Sequence, residues 1–152
     1  MNLYLDTSAL VKLYVAEEAS PVVRGAVQTA RLVATSILAY VEARAAFARR
    51  QREGGMSRGD HRRIQRDLDR DWEHYVRLQV SELLVRSAAR LAERERLRAY
   101  DALHLASALT LKQRLAAPVV FACWDARLHT AARRVHLSVL PASPSPPAPS
   151  GT

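Results

Sequence analysis

Four acidic residues are the side chains whose positions in this sequence suggest chemistry. Each one directly follows a predicted strand or lies in the helix after it, and the set comprises Asp6, Glu42, Asp101 and Asp125. Because the carboxyl ends of parallel strands meet at one edge of a sheet, we expect these carboxylates to converge there. Oxygen ligands in this number suit Mg²⁺ or Mn²⁺, which can activate water for attack on a phosphodiester. The set therefore predicts a metal-dependent hydrolase of phosphate esters.

Each acid taken alone also has a simpler explanation at the start of a helix. Asp and Glu are favoured there because they cap free backbone N–H groups and complement the helix dipole. The sequence places Glu42 about two turns inside its helix, too deep to act as a cap. Capping also leaves unexplained why Asp101 interrupts an otherwise apolar helix. The four acids together therefore favour a functional site over four unrelated caps.

An alternation of strands and helices is predicted to position these acids. Short apolar segments predict strands at residues 3–5, 31–35, 77–80, 119–123 and 136–140. Apolar residues at helical spacing occupy the segments between them, the first over about residues 9–17. Serines are predicted to cap five of the helices, namely Ser8, Ser20, Ser36, Ser57 and Ser81. This order of elements predicts an α/β fold with a parallel sheet.

Length, charge and cysteine content set the broad class of the protein. A chain of 152 residues fits one domain, which we expect at residues 1–140, followed by a Pro/Ser-rich disordered tail at 141–152. The single Cys123 excludes an intramolecular disulfide, and no signal peptide or long apolar segment is visible. These features predict a cytoplasmic protein with no membrane span. The net charge of +8 favours a polyanionic partner such as a nucleic acid.

Four short motifs, in order along the chain, resemble those of the PIN domain family. They are residues 5–10 (LDTSAL), Thr35 and Ser36 with Glu42, residues 100–106 (YDALHLA) and residues 120–128 (VFACWDARL). Within this family the chain is most similar to the single-domain VapC-type toxins of bacterial toxin–antitoxin pairs. The resemblance extends from about residue 2 to residue 140, and the order and spacing of the motifs make it specific.

The resemblance implies a fold, an activity and a set of site residues. The implied fold is a PIN-like, Rossmann-like three-layer sandwich whose five-stranded parallel sheet has the order 3-2-1-4-5 and is flanked by helices. The implied activity is that of a divalent-metal-dependent endoribonuclease, neutralised by a VapB-like antitoxin and assembled as a homodimer. The implied catalytic and metal-binding residues are Asp6, Glu42, Asp101 and Asp125, with Mg²⁺ or Mn²⁺ as cofactor and Ser8 as an accessory polar residue. Cys123 departs from the family, because many relatives carry Thr or Ser there, and the change removes a hydroxyl near the metal.

Other polar residues near the acids have two interpretations each. Arginines that follow Glu42 could line a path for RNA or form a solvated helix face, and they are Arg44, Arg49, Arg50 and Arg52. His104 lies one turn after Asp101, and in an apolar helix a hydrogen-bonded core histidine is commoner than a metal ligand. Cys123 is predicted to be a buried strand residue rather than a nucleophile.

Two rival functions remain open from the sequence. A PIN-like domain could bind RNA or a protein without cleaving it, although retention of all four acids argues against a degenerate site. An aspartyl phosphatase could use Asp6 as its nucleophile, but that chemistry, as in haloacid-dehalogenase-like folds, requires a second acid two residues later. Ser8 occupies that position, so the phosphatase is the weaker rival.

Overall fold

The computed structural model describes residues 1–143, and a five-stranded parallel sheet forms its centre. The strands are β1 (Asn2–Leu5), β2 (Leu32–Ser36), β3 (Val76–Leu78), β4 (Val119–Ala122) and β5 (Ser138–Leu140). Their spatial order is β3-β2-β1-β4-β5, and every neighbouring pair is parallel. The predicted fold and strand order are therefore confirmed, with β1 at the centre of the sheet.

Helices connect the strands and cover both faces of the sheet. They are α1 (Thr7–Tyr14), α2 (Ser20–Thr29), α3 (Ala39–Arg52), α4 (Arg58–Trp72), α5 (Glu82–Glu95), α6 (Ala99–Leu115) and α7 (Ala126–Arg134). Side chains alternate between the faces along β1, as the pleat requires. Leu3 and Leu5 join one buried cluster with Phe47, whereas Tyr4 joins a second with Leu105. The sheet thus separates two hydrophobic cores, which together stabilise the three layers.

The register of the sheet brings the ends of two strands to the same level. Leu5 is paired with Ala122, and the backbone N–H of Asp6 donates to the carbonyl of Ala122 at 3.1 Å. The next residue on that side, Cys123, donates its own N–H to Leu140 on the neighbouring strand. Because of this pairing, Asp6 lies beside the segment that leads into Asp125.

Three of the five predicted serine caps are wrong. Ser20 is the first residue of α2, whose N-cap residue is Ala19. Asp6, rather than Ser8, is the N-cap of α1, because β1 ends at Leu5 and the carboxylate accepts from the N–H of Ala9 at 2.8 Å. Ser36 accepts from the N–H of Leu38 within the turn before α3, and no side chain caps that helix. Ser57 and Ser81 do cap the helices that follow them, α4 and α5.

The start of α3 also changes the position assigned to Glu42. The helix begins at Ala39 because residues 37 and 38 form a turn after β2, so Glu42 lies in its first turn. The prediction that Glu42 lies two turns inside its helix is therefore wrong. A favourable interaction with the helix dipole is available to this carboxylate after all, and its function has to be argued from its contacts.

The remaining boundary predictions differ from the structure by small amounts. The first helix ends at Tyr14 rather than near residue 17, and the third strand begins at Val76 rather than at residue 77. The predicted domain boundary at residue 140 coincides with the end of β5. Most of the predicted tail, residues 144–152, lies outside the described residues. Within residues 1–143, no helix combines the length and the apolar character that a membrane crossing requires.

Candidate metal centre

Asp6 is buried at the carboxyl end of the central strand and is held by hydrogen bonds on one oxygen. Its Oδ1 accepts from the hydroxyl of Ser8 at 2.7 Å and from the N–H of Ala9 at 2.8 Å. The Ser8 hydroxyl also lies 3.4 Å from the backbone N–H of Trp124, which donates to it. Ser8 therefore links Asp6 to the segment after β4. Through these two hydrogen bonds Ser8, the predicted accessory residue, contacts the predicted site.

Asp101 and Asp125 face each other across one arginine. Arg98, the N-cap residue of α6, places Nε 3.3 Å from Asp101 and Nη2 3.6 Å from Asp125. Asp125 also caps α7 by accepting from the N–H of Leu128 at 2.9 Å. A single guanidinium thus reaches both carboxylates, and it is the contact that Asp101 and Asp125 share.

Glu42 is bound from two directions by residues of other helices. Its Oε1 accepts from the hydroxyl of Thr7 at 2.8 Å, and Nε2 of His104 lies 3.1 Å from the same oxygen. His104 is buried, and its Nδ1 lies 2.8 Å from the hydroxyl of Tyr4. The prediction of a hydrogen-bonded core histidine is confirmed, and one of its partners is a carboxylate of the predicted site.

The pKa directions of the carboxyl groups reveal like charges close together. Burial raises the pKa of Asp6, and the negative charge of Asp101 adds to that rise, while His104 opposes it. Burial likewise raises the pKa of Asp101, with Asp125 adding to the rise and Arg98 opposing it. Like charges behave in this way when they share a site of limited hydration. Asp6, Asp101 and Asp125 therefore form one electrostatic cluster.

Glu42 differs from the aspartates in the direction of its shift. Burial acts to raise its pKa, but the hydrogen bond and charge of His104 and the hydroxyl of Thr7 outweigh it, and the net shift is downward. Burial, and then the charges of Asp6, Asp125 and Asp101, raise the pKa of the Cys123 thiol. A thiol in that environment stays protonated, and the predicted burial of Cys123 is confirmed.

The four carboxylates are the type of ligand that a divalent cation prefers, but their spacing in this structure does not form a site for one. Within residues 1–143, no three His, Cys, Asp or Glu side chains are close enough together to hold a metal ion. The carboxylates instead accept from donors of the chain itself. A divalent cation would relieve the repulsion that adds to the effect of burial on the pKa values of Asp6 and Asp101. The Arg98 side chain is 79% exposed, so it can leave the two acids without disturbing the core.

The arginines that follow Glu42 separate into two pairs. Arg49 and Arg52 line an open cleft of about 440 Å³ together with Thr7 and Glu42. Arg44 instead contacts the hydroxyl of Tyr40 and lies 3.8 Å from Asp69, and Arg50 forms an ion pair with Glu17. Only the first pair borders the cleft that contains a predicted catalytic carboxylate.

Comparison with known proteins identifies the family of this chain. Residues 3–120 match the PIN domain. The chain belongs to the PIN domain family. Ribonuclease VapC45 of Mycobacterium tuberculosis (strain CDC 1551 / Oshkosh) is 34% identical over 143 residues, which cover 94% of this chain and 97% of that protein.

Two solved structures share the PIN fold. FitAcB from Neisseria gonorrhoeae has a TM-score of 0.62 at 17% identity and covers 90% of this chain and 95% of its own. A toxin–antitoxin complex from Klebsiella pneumoniae has a TM-score of 0.61 at 12% identity, and the match covers 95% of this chain and 100% of that one.

Sequence reasoning missed two residues that contact acids of this PIN domain. Thr7 donates to Glu42, and Arg98 lies between Asp101 and Asp125. A signal for Arg98 was present, because a basic residue three positions before Asp101 at a helix start can reach it. No local pattern identifies the Thr7 contact, since its partner lies 35 residues away along the chain.

Proposed function

We propose that this PIN domain is a divalent-metal-dependent endoribonuclease that hydrolyses RNA phosphodiester bonds. The observation that carries the proposal is the grouping of three aspartates at the carboxyl edge of the sheet: Ser8 links Asp6 to the segment that leads into Asp125, and Arg98 contacts both Asp101 and Asp125. Glu42 borders the same region through His104 and opens onto a cleft with two arginines. The relationship to a protein named as a ribonuclease supports the same activity.

The residues of the site have distinct tasks in this reaction. Asp6 and Asp101 would hold the cation, Mg²⁺ or Mn²⁺, with Glu42 and Asp125 completing the set of oxygen ligands. A cation held there would supply the positive charge needed to activate an attacking water and to stabilise charge developing on the phosphate. Ser8 and the N–H of Ala9 fix the orientation of Asp6. Arg49 and Arg52 hold the RNA backbone beside Glu42.

The proposed biological setting is a toxin–antitoxin pair. A relative named as a VapC ribonuclease and a structural neighbour described as a toxin–antitoxin complex support a small VapB-like antitoxin as the partner. We also propose a homodimer and a location in the cytoplasm, where the free Cys123 remains reduced. Light scattering of the purified protein, alone and after co-expression with a neighbouring short reading frame, tests the dimer and the antitoxin together.

Removal of divalent metal is expected to stop cleavage. The protein should cut a mixed RNA pool in Mg²⁺ or Mn²⁺ and lose that activity in EDTA, because the clustered carboxylates cannot orient or activate water by themselves. The measurement is electrophoresis of labelled RNA after incubation with folded, antitoxin-free protein. Restored cleavage after Mn²⁺ is added back excludes damage by the chelator. RNA that is bound but left intact in Mn²⁺ would instead identify a non-catalytic binding module.

Removal of the two cleft arginines is expected to weaken RNA binding. The double variant Arg49→Ala/Arg52→Ala should bind RNA about 10-fold or more weakly. The slope of the logarithm of the binding constant against the logarithm of salt concentration should also become shallower, by the equivalent of up to two phosphate contacts. The matched control is Arg44→Ala/Arg50→Ala, which removes the same charge from the same helix, from residues already paired with Asp69 and Glu17. Equal losses in the two double variants would show that only the overall charge matters.

A further inference from the structure

A buried line of polar side chains runs from the second core to the cleft. It starts at the hydroxyl of Tyr4 on β1, passes through the ring of His104 on α6 and ends on Oε1 of Glu42 on α3. Tyr4 is fully buried, and its ring stacks on Phe121 at a centroid distance of 5.5 Å. His104 is 3% exposed. These polar groups are shielded from water, so their mutual hydrogen bonds have to satisfy them.

The chemistry of the end groups fixes the direction of the hydrogen bonds. An ionised carboxylate only accepts, so the proton between His104 and Glu42 belongs to Nε2 of the imidazole. When Nε2 alone carries the proton, Nδ1 is an acceptor, and the Tyr4 hydroxyl, which lies 2.8 Å away, donates to it. Nε2 also lies 3.0 Å from the Thr7 hydroxyl, which itself donates to Oε1 of Glu42 at 2.8 Å. Tyr4 thus selects the tautomer that presents an N–H to Glu42.

The arrangement divides the two oxygens of Glu42 between two tasks. Oε1 accepts from both Thr7 and His104, which lie on different helices. Among the described residues, no hydrogen bond to Oε2 is present, and Glu42 lines the open cleft. A carboxylate held by two donors on one oxygen has lost most of its rotational freedom before any ligand arrives.

We infer that Tyr4 and His104 are positioning residues that orient Glu42 so that its free oxygen faces the cation. The inference rests on the proposed function, because it assigns Glu42 as a ligand. Neither residue touches substrate or metal: Tyr4 acts through His104, and His104 acts through Glu42. Partners of ligating side chains commonly change metal affinity by about 10- to 100-fold when they are lost.

The test compares three variants with a matched control in two measurements. Tyr4→Phe removes one hydroxyl and retains the stacked ring, His104→Leu removes the donor, and His104→Gln restores an N–H at that position. Tyr75→Phe is the control, because it removes a buried hydroxyl that bonds to Tyr14, outside the carboxylate cluster. The first measurement is the His104 tautomer, from ¹⁵N NMR of metal-free protein. The second is the dissociation constant for Mn²⁺, from calorimetry without RNA.

The expected results are specific to the positioning role. The wild type should show Nε2–H with unprotonated Nδ1, and Tyr4→Phe should shift the tautomer populations. Mn²⁺ binding should weaken by about 10-fold or more in His104→Leu, and by a smaller factor of about 3 in Tyr4→Phe. His104→Gln should recover part of the loss in His104→Leu, whereas Tyr75→Phe should match the wild type.

Three outcomes overturn the inference in distinguishable ways, with Glu42→Gln added as the reference for loss of the ligand itself. If Glu42→Gln weakens Mn²⁺ binding while Tyr4→Phe and His104→Leu bind like the wild type, the positioning role is wrong and the metal site stands. If the wild type binds no Mn²⁺, the metal-dependent function fails and the inference fails with it. A wild-type ring protonated on Nδ1 and not on Nε2 overturns the inference independently of any metal.

Discussion

Replacing Asp6 by Asn is expected to lower RNA cleavage by about 10³-fold or more while the fold is retained, because the reaction loses a central anionic ligand. Asp6 directly follows the middle strand of the sheet and is the most buried of the four acids. Asn is nearly isosteric and is also a good N-cap, so it can still accept from the N–H of Ala9. Initial cleavage rates in Mn²⁺, with circular dichroism as the check on folding, provide the measurement.

The same substitution is expected to raise the melting temperature at neutral pH. Burial raises the pKa of Asp6 above its unfolded value, so between those two values the folded state binds more protons than the unfolded state. The contribution of Asp6 to stability is therefore present at low pH and is lost as the pH rises through that interval. The gain in melting temperature of Asp6→Asn over the wild type should shrink as the pH falls toward about 4, where aspartate ordinarily titrates. Retained cleavage, or a lower melting temperature at neutral pH, would contradict this account.

Replacing Phe47 by Ala is expected to lower the free energy of unfolding by about 3–5 kcal/mol. Phe47 is fully buried on α3, and its ring packs edge-to-face on Tyr14 of α1 at 6.0 Å. The truncation leaves a cavity between the two helices that carry Glu42 and Thr7. Urea unfolding should show a lower midpoint at unchanged slope, and RNA cleavage should fall because the carboxylate is no longer held.

Two variants on the same helix serve as controls for that result. Phe47→Leu retains much of the volume and should cause a clearly smaller loss of stability. Val41→Ala changes a side chain that is 61% exposed on α3, and its effect should stay within about 0.5 kcal/mol. A Phe47→Ala protein as stable as Val41→Ala would mean that the contact between α1 and α3 contributes little to the fold.

Local patterns in the sequence were sufficient for the architecture. Apolar segments followed by amphipathic helices predicted the parallel sheet, and in α4 the residues that recur at helical spacing, Ile64, Leu68 and Trp72, are the buried ones. Such signals are local because each depends on residues within one or two turns. The errors were local as well. The serine before α3 and the one inside α1 resembled caps, but the chain used a turn at one place and Asp6 at the other.

The sequence by itself thus determined the fold class, the strand order through the family resemblance, and the identity of the acids expected at the sheet edge. Only the tertiary structure decided which polar groups hold those acids. His104 meets Glu42 across 62 residues of chain and Tyr4 across 100, and the ion pairs of Arg44 and Arg50 leave Arg49 and Arg52 to border the cleft. These contacts depend on the packing of whole helices against the sheet. No spacing along the chain encodes them, because the partners become neighbours only when the layers assemble.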